Sequence, residues 1–134
     1  MATWEDVAKI ANALPEVAEE PSYGERAWKV RKKTFAWERP LRAKEVEHLG
    51  GFEPDGAAPT GEILAVRVAD EEAKQALVSS EPEIFFTTSH FDGYPAVLIR
   101  LERIARPELE ELLIEAWLAK APKRVAAAFL AERD

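Results

Sequence analysis

The stretch Ala27-Trp28-Lys29-Val30-Arg31-Lys32-Lys33-Thr34-Phe35-Ala36-Trp37-Glu38 decides the fold class. Residues 27–31 and 34–38 each alternate apolar and polar side chains, the period of two that a half-buried strand requires. Two such runs this close together form an antiparallel hairpin. With Lys32-Lys33 as the turn, Arg31 faces Thr34, Val30 faces Phe35 and Trp28 faces Trp37. Trp28, Val30, Phe35 and Trp37 then share the buried face, and Lys29, Arg31 and Ala36 the other. Lys-Lys is poor chemistry for a two-residue turn, which favours Gly or Asn at positive φ.

Outward from the hairpin, the periodicity switches repeatedly between the two kinds of element. Before it, Val7, Ile10, Ala11 and Leu14 recur at helical spacing over Trp4 to Leu14, with Thr3 and Asp6 placed as a capping box and Pro15 as a stop. After it, Arg42 to Leu49 reads as a short helix ending at Gly50, and residues 50–61 hold four glycines and two prolines, a surface loop. Leu64, Val66 and Val68 alternate as a strand. Asp70 caps a helix over Glu71 to Ser79, and Ile84 to Thr88 is a short β-rich run. Ala96 to Glu102 is a strand with Val97, Ile99 and Leu101 on one face and Leu98 and Arg100 on the other. Pro107 opens a helix whose stripe is Leu109, Leu112, Leu113, Ala116 and Trp117, and Lys123 to Glu132 forms a last helix after Pro122. No sustained strand–helix–strand alternation exists. The expected architecture is therefore α+β: a curved, mostly antiparallel sheet with helices packed on one face, in a single domain over residues 1–134.

The 134 residues include 47% hydrophobic ones and four tryptophans, enough for a substantial core. There is no cysteine, which removes disulfides, thiol nucleophiles and thiolate metal sites together. The acidic N-terminus shows no secretory pattern, and no apolar run reaches the roughly 18 residues of a membrane span. The expectation is a cytoplasmic monomer with no membrane contact. Formal net charge is −7, but it is unevenly spread. Residues 26–44 carry eight basic groups against Glu38 alone, a net of +7, whereas residues 1–25 sum to −5 and 45–134 to −9.

Three stretches resemble the MmcQ/YjbR family of small bacterial proteins. They are Ser22-Tyr23-Gly24 with Ala27-Trp28-Lys29-Val30 and Phe35-Ala36; Phe85-Phe86-Thr87-Thr88-Ser89-His90-Phe91-Asp92-Gly93-Tyr94-Pro95-Ala96-Val97-Leu98; and Glu115-Ala116-Trp117 with Ala121-Pro122-Lys123-Arg124. The resemblance covers nearly the whole chain. It implies a CyaY-like fold, similar in outline to frataxin, and the DNA-binding, double-wing function that the family commonly carries. The chain departs from its relatives at Lys32, where their hairpin turn often has glycine, and in the long loop at 50–61.

Two candidate surfaces emerge. Lys29, Arg31, Lys32, Lys33, Arg39, Arg42 and Lys44 could follow a phosphate backbone, where each neutralised phosphate adds salt-dependent affinity. The competing structural role is a solvated hairpin whose lysines keep an edge strand from aggregating, or whose cations pair with the surplus acids of the first helix. The alternative surface is a small-anion or protein-interaction pocket at the Thr87–Tyr94 turn, using His90, Tyr94 and Arg100 with Lys123 and Arg124. The ordinary role there is a turn at Asp92-Gly93 with hydroxyls on backbone groups. A Ser89–His90–Asp92 catalytic set is disfavoured because adjacent side chains diverge and no G-x-S-x-G elbow is present. His48 stands alone beside Glu45 and Glu47. Two distant histidines without cysteine give no transition-metal spacing, and the glutamates of the helices read as solvated faces. The chain is thus expected to be a non-enzymatic binding protein without a cofactor, with DNA as the leading partner.

Overall fold

The computed structural model describes residues 2–21, 24–40, 62–88 and 91–133. Among them are four α-helices, α1 (Trp4–Asn12), α2 (Glu71–Ser80), α3 (Arg106–Lys120) and α4 (Lys123–Arg133). Six strands, β1 (Val17–Glu19), β2 (Ala27–Val30), β3 (Lys33–Glu38), β4 (Ile63–Arg67), β5 (Phe85–Phe86) and β6 (Ala96–Arg100), form one sheet in the order β1-β2-β3-β4-β6-β5. Every neighbouring pair is antiparallel. The α+β expectation is met.

Local chemistry explains where the helices begin. The Thr3 side chain accepts from the Asp6 amide at 3.2 Å while the Thr3 amide donates to Asp6 Oδ2 at 3.0 Å, the reciprocal capping box read from the sequence. Asp70 caps α2 by accepting from the Ala73 amide at 2.8 Å. Pro107 falls in the first turn of α3, where its missing N–H has no helical partner to lose.

The larger core cluster lies between the first sheet face and the helices. It joins Val7 and Ile10 of α1, Trp28, Val30, Leu64, Val66, Val97 and Ile99 of the sheet, and Leu109, Leu113, Ala116 and Trp117 of α3. Burying apolar surface stabilises by roughly 25 cal/mol per Å², so this face dominates the fold. Polar pins align the layers: Trp117 Nε1 donates to the Pro15 carbonyl at 3.0 Å, and Trp4 stacks on Trp28 with ring centroids 6.3 Å apart. A smaller cluster of Ile63, Ala65, Phe86, Phe91, Ala96 and Leu98 covers the second face, with Trp37 packed against it.

The hairpin differs from its sequence reading in turn, register and parity. Val30 pairs with Lys33, so the turn is Arg31-Lys32, not Lys32-Lys33. Both turn residues have positive φ, 48° and 70°, the hallmark of the type I′ turn that matches strand twist. Trp28 pairs with Ala36 but Lys29 with Thr34, which leaves Phe35 as the extra residue of a bulge. Phe35 and Ala36 consequently both enter the larger cluster, and Trp37 moves to the second face. An alternation count through position 35 cannot register that one-residue insertion.

Other corrections are smaller. The first helix ends at Asn12 rather than Leu14, and β6 gives way to a 3₁₀ turn at Leu101–Arg103. Strand β1 has no counterpart among the sequence expectations. The helix expected at 42–49 and the loop at 50–61 lie outside the described residues, as do Arg42, Lys44, His48 and His90. No helix among the described residues is long and apolar enough to cross a membrane.

Candidate functional site

The basic segment divides into neutralised and open cations. Arg31 makes a two-point ion pair with Glu16, from Nε to Oε1 and from Nη2 to Oε2. Arg26 does the same with Glu19, at 2.7 and 3.1 Å. These guanidiniums hold the carboxyls of Glu16 and Glu19 below their ordinary range by hydrogen bonding to the charged forms. Both glutamates flank the β1 edge strand, so the acidic N-terminal region cancels part of the basic hairpin. Lys32 and Lys33 are exposed at the tip and Lys29 is half-buried in β2; none of the three pairs with a carboxylate among the described residues.

Arg39 is not part of that open surface. It is buried, its backbone N–H bonds the Ile63 carbonyl at 2.9 Å, and its guanidinium lies 5.4 Å from the Phe91 ring centroid and donates to the Pro40 carbonyl at 2.7 Å. Because Arg100 pairs with Ile63 from the other side, Arg39 and Arg100 flank one β4 residue on the second face. Behind them run Trp37, Ala65, Leu98 and Phe86, one row across four strands. Arg100 is only 3% exposed and packs over Phe86 at 5.8 Å. Phe91 caps the row, 6.4 Å from Trp37 and 5.9 Å from Tyr94.

The residues of the alternative pocket are therefore only partly together. Tyr94 and Arg100 belong to the second face, though they stand at different ends of it. Lys123 and Arg124 are exposed at the start of α4, whose Val125, Ala126 and Phe129 pack on the larger cluster across the sheet. Among the described residues, no group of three or more His, Asp or Glu side chains is placed to hold a metal ion.

Two cations escaped the sequence reading. Arg67, at the end of β4, stacks its guanidinium 4.6 Å from the Tyr94 ring centroid, and its Nε is buried without a hydrogen-bond acceptor. Lys120, in the last turn of α3, has its ammonium pushed below its usual range by burial, then by the charges of Arg67 and Lys33. The charges of Arg67 and Lys33 are felt at the Lys120 ammonium although 34 and 53 residues separate the three in sequence. No local motif announces such a grouping; only the tertiary fold creates it.

Comparison with known proteins agrees with the architecture. A chain from Mycobacterium tuberculosis strain H37Rv, the uncharacterized protein Rv2570, is 53% identical over 133 residues, covering 98% of each chain. The uncharacterized protein Mb2600 of Mycobacterium bovis matches to the same extent. The crystal structure of Deinococcus radiodurans protein DR2400, a DUF419 domain, superposes with a TM-score of 0.63 at 19% identity, over 88% of this chain and 78% of that one. The YjbR family model matches residues 12–119, from the end of α1 through almost all of α3, and the chain belongs to the YjbR family.

Proposed function

We propose that this YjbR domain is a non-enzymatic nucleic-acid-binding module that contacts duplex phosphates through the β2–β3 hairpin tip. The observation that carries the reading is the exposure of Lys32 and Lys33 on a turn locked by two positive-φ residues, with no carboxylate partner among the described residues, in a protein otherwise rich in acid. A projecting hairpin that is cationic at its tip can enter or straddle a groove while the acidic body stays away from the DNA. Lys29 on the adjoining strand and Lys120 beside Lys33 extend the cationic track. Arg31 and Arg26 support it by bracing the hairpin against β1 rather than by contributing net charge. The double-wing, CyaY-like description of the family is in keeping with such a hairpin.

Four open cations imply weak, salt-sensitive binding. The slope of log K against log salt is about −0.9 per phosphate neutralised, so roughly −3 to −4 is expected here. Titrating duplex DNA by fluorescence anisotropy at several salt concentrations tests this. A Lys32→Glu/Lys33→Glu variant should lose most binding and flatten the slope. Undetectable binding at low salt, or an unchanged slope in that variant, refutes the reading.

A further inference from the structure

A groove runs between α2 and α3. Its volume is about 270 Å³, with Val68, Ala73, Leu77 and Leu112 as apolar walls and the exposed Ala76 beside them. Through Ala69 and Glu115 it adjoins a wider depression of about 480 Å³ along Leu118 and Ala119. Arg67 borders the groove, but its guanidinium stacks on Tyr94 across the sheet. The charge at the mouth is therefore the exposed carboxylate of Glu115, with the exposed Glu111 one turn before it on α3. The complementary shape stands on α4. Lys123, Arg124, Ala127, Leu130 and Ala131 are all exposed and fall at i, i+1, i+4, i+7 and i+8, one face of that helix. Val125, Ala126 and Phe129 turn the opposite face to the larger core cluster. Leu130 is 46% exposed, so this ridge carries a large apolar side chain with no cover in its own chain. None of the ion pairs formed among the described residues uses Glu111, Glu115, Lys123 or Arg124.

We propose that the α2–α3 groove receives the exposed face of α4 from a second copy of this chain, giving a symmetric dimer in place of the monomer expected from the sequence. Three features select that occupant. The first is shape. An amphipathic helix laid into an apolar groove is a recurring mode of protein recognition. At roughly 30 Å³ per water-sized group the cavity holds about nine such groups, and the Leu130 side chain with the Ala127 and Ala131 methyls fills the greater part of it. The second is charge. Lys123 and Arg124 lead α4 while Glu111 and Glu115 edge the groove, so docking gives each open charge an opposite partner. The third is position. The Phe129 ring of α4 lies 4.9 Å from the Trp117 ring, and the neighbouring Leu118 lines the depression, so α4 and the groove occupy two flanks of one helix, α3. A twofold axis beside α3 then seats each α4 in the other copy's groove and closes the assembly at two, whereas the same contact without that axis would propagate as a filament.

The interface uses the helices and none of Lys29, Lys32 or Lys33, so it stands or falls separately from DNA binding. The test is sedimentation equilibrium of the full chain. The parent should rise from 15.0 kDa toward twice that mass as its concentration increases, with Kd on the order of tens of micromolar, the weak end of the range for protein pairs. Leu130→Glu and Ala76→Trp alter exposed positions. Each should weaken association at least about tenfold, with an unchanged melting temperature in dilute solution. Reversing the groove charges, Glu111→Lys/Glu115→Lys, or the helix charges, Lys123→Glu/Arg124→Glu, should leave either chain monomeric. Mixed in equal amounts, the two charge-reversed chains should pair with about the parent affinity, a recovery that no folding defect can imitate. A parent chain that stays at 15.0 kDa at about 300 µM overturns the proposal and leaves the groove to a different partner. Association of Leu130→Glu equal to the parent's, or a mixture no more associated than its components, overturns it as well.

Discussion

The ammonium of Lys74 donates a 2.7 Å hydrogen bond to the backbone carbonyl of Phe91, tying α2 to the turn that carries Phe91 onto the second sheet face. The same Nζ reaches the Tyr94 carbonyl at 3.0 Å and pairs with Glu71 at 2.9 Å, so its three donors are satisfied although the side chain is only 1% exposed. A buried charge is tolerated when every proton has a partner and becomes strongly destabilising when one is removed. The clamp positions both Phe91, over Arg39, and Tyr94, under Arg67.

Replacing Lys74 by Met keeps the volume but takes the ammonium from two carbonyl oxygens, leaving Phe91 O with the Tyr94 amide alone and Tyr94 O with the Ala96 amide alone. Lys74→Met should lower stability by about 2–3 kcal/mol, with faster amide exchange concentrated at residues 91–96. Glu71→Gln should cost far less, because Glu71 is exposed and the two carbonyls still hold the ammonium. Thermal melting and hydrogen exchange of both variants check the ranking. Equal losses would show that the ion pair, and not the carbonyl bonds, holds the turn.

Lys32 adopts φ 70° at the second position of the type I′ turn, a conformation that costs a residue bearing a Cβ about 1–2 kcal/mol. Among the described residues Lys32 has no ion pair to lose. Lys32→Gly should therefore raise the unfolding free energy by about 1 kcal/mol, seen as a melting temperature a few degrees higher, while removing one charge from the DNA-contacting tip. A stabilised protein with a weaker salt dependence is the expected pair of results. A loss of stability would mean that the Lys32 side chain holds the turn.

Much of this frame is legible in the residues themselves. The alternation Val97-Leu98-Ile99 separates the two sheet faces correctly, and the Thr3–Asp6 and Asp70 caps name their helix starts. What alternation cannot show is an insertion: the bulge at Phe35 reverses the parity of everything after it, so Trp37 changes face. Strand β1 is three residues long, too short for any period to declare it, and is created by pairing with β2. Nothing in the sequence marks Lys74 as buried, and Arg100, expected to line a small-anion pocket, is packed over Phe86 instead, because alternation cannot tell an inward-pointing cation from an outward one. The hairpin's charge was legible, but its partial neutralisation by Glu16 and Glu19 depends on β1 lying beside it.

Arg31 and Lys33 lie two positions apart yet should contribute unequally to DNA binding. The Arg31 charge is already matched by Glu16 through two hydrogen bonds, whereas Lys33 faces solvent and the like charge of Lys120. Lys33→Ala should reduce the salt slope by about 0.9, one phosphate's worth, and Arg31→Ala by less. Glu16→Ala should strengthen binding by freeing Arg31. Anisotropy titrations of the three variants decide it; an Arg31→Ala effect as large as that of Lys33→Ala would show that the ion pair opens on DNA.

Glu108, in the first turn of α3, sits among carboxylates. A hydrogen bond with Glu81 raises its pKa most, burial and the charges of Glu81, Glu111 and Glu83 add to it, and the group is held up at about 7 against an ordinary 4.5. The folded state thus binds a proton that the unfolded chain releases. For a raised carboxyl, the stabilisation is fully present below about pH 4.5 and is lost as pH climbs through about 7. Asp6, Glu16, Glu19 and Glu71 have the opposite sign: hydrogen bonds lower them, with the Thr3 backbone first for Asp6 and Arg31, Arg26 and Lys74 first for the others, so their support is present above the ordinary carboxyl range and falls away in acid. Stability should accordingly peak in mildly acidic solution and decline toward about pH 8. Glu108→Gln keeps a hydrogen-bonding side chain while removing the titration, and should melt at a higher temperature than the parent at pH 8 but not at pH 5, conditions chosen to bracket the shifted pKa by about a unit or more. Melting curves collected across that interval, with Glu81→Gln as the reciprocal variant, check the sign. A parent protein whose stability rises between those two pH values would show that Glu108 and Glu81 share no proton in the folded state.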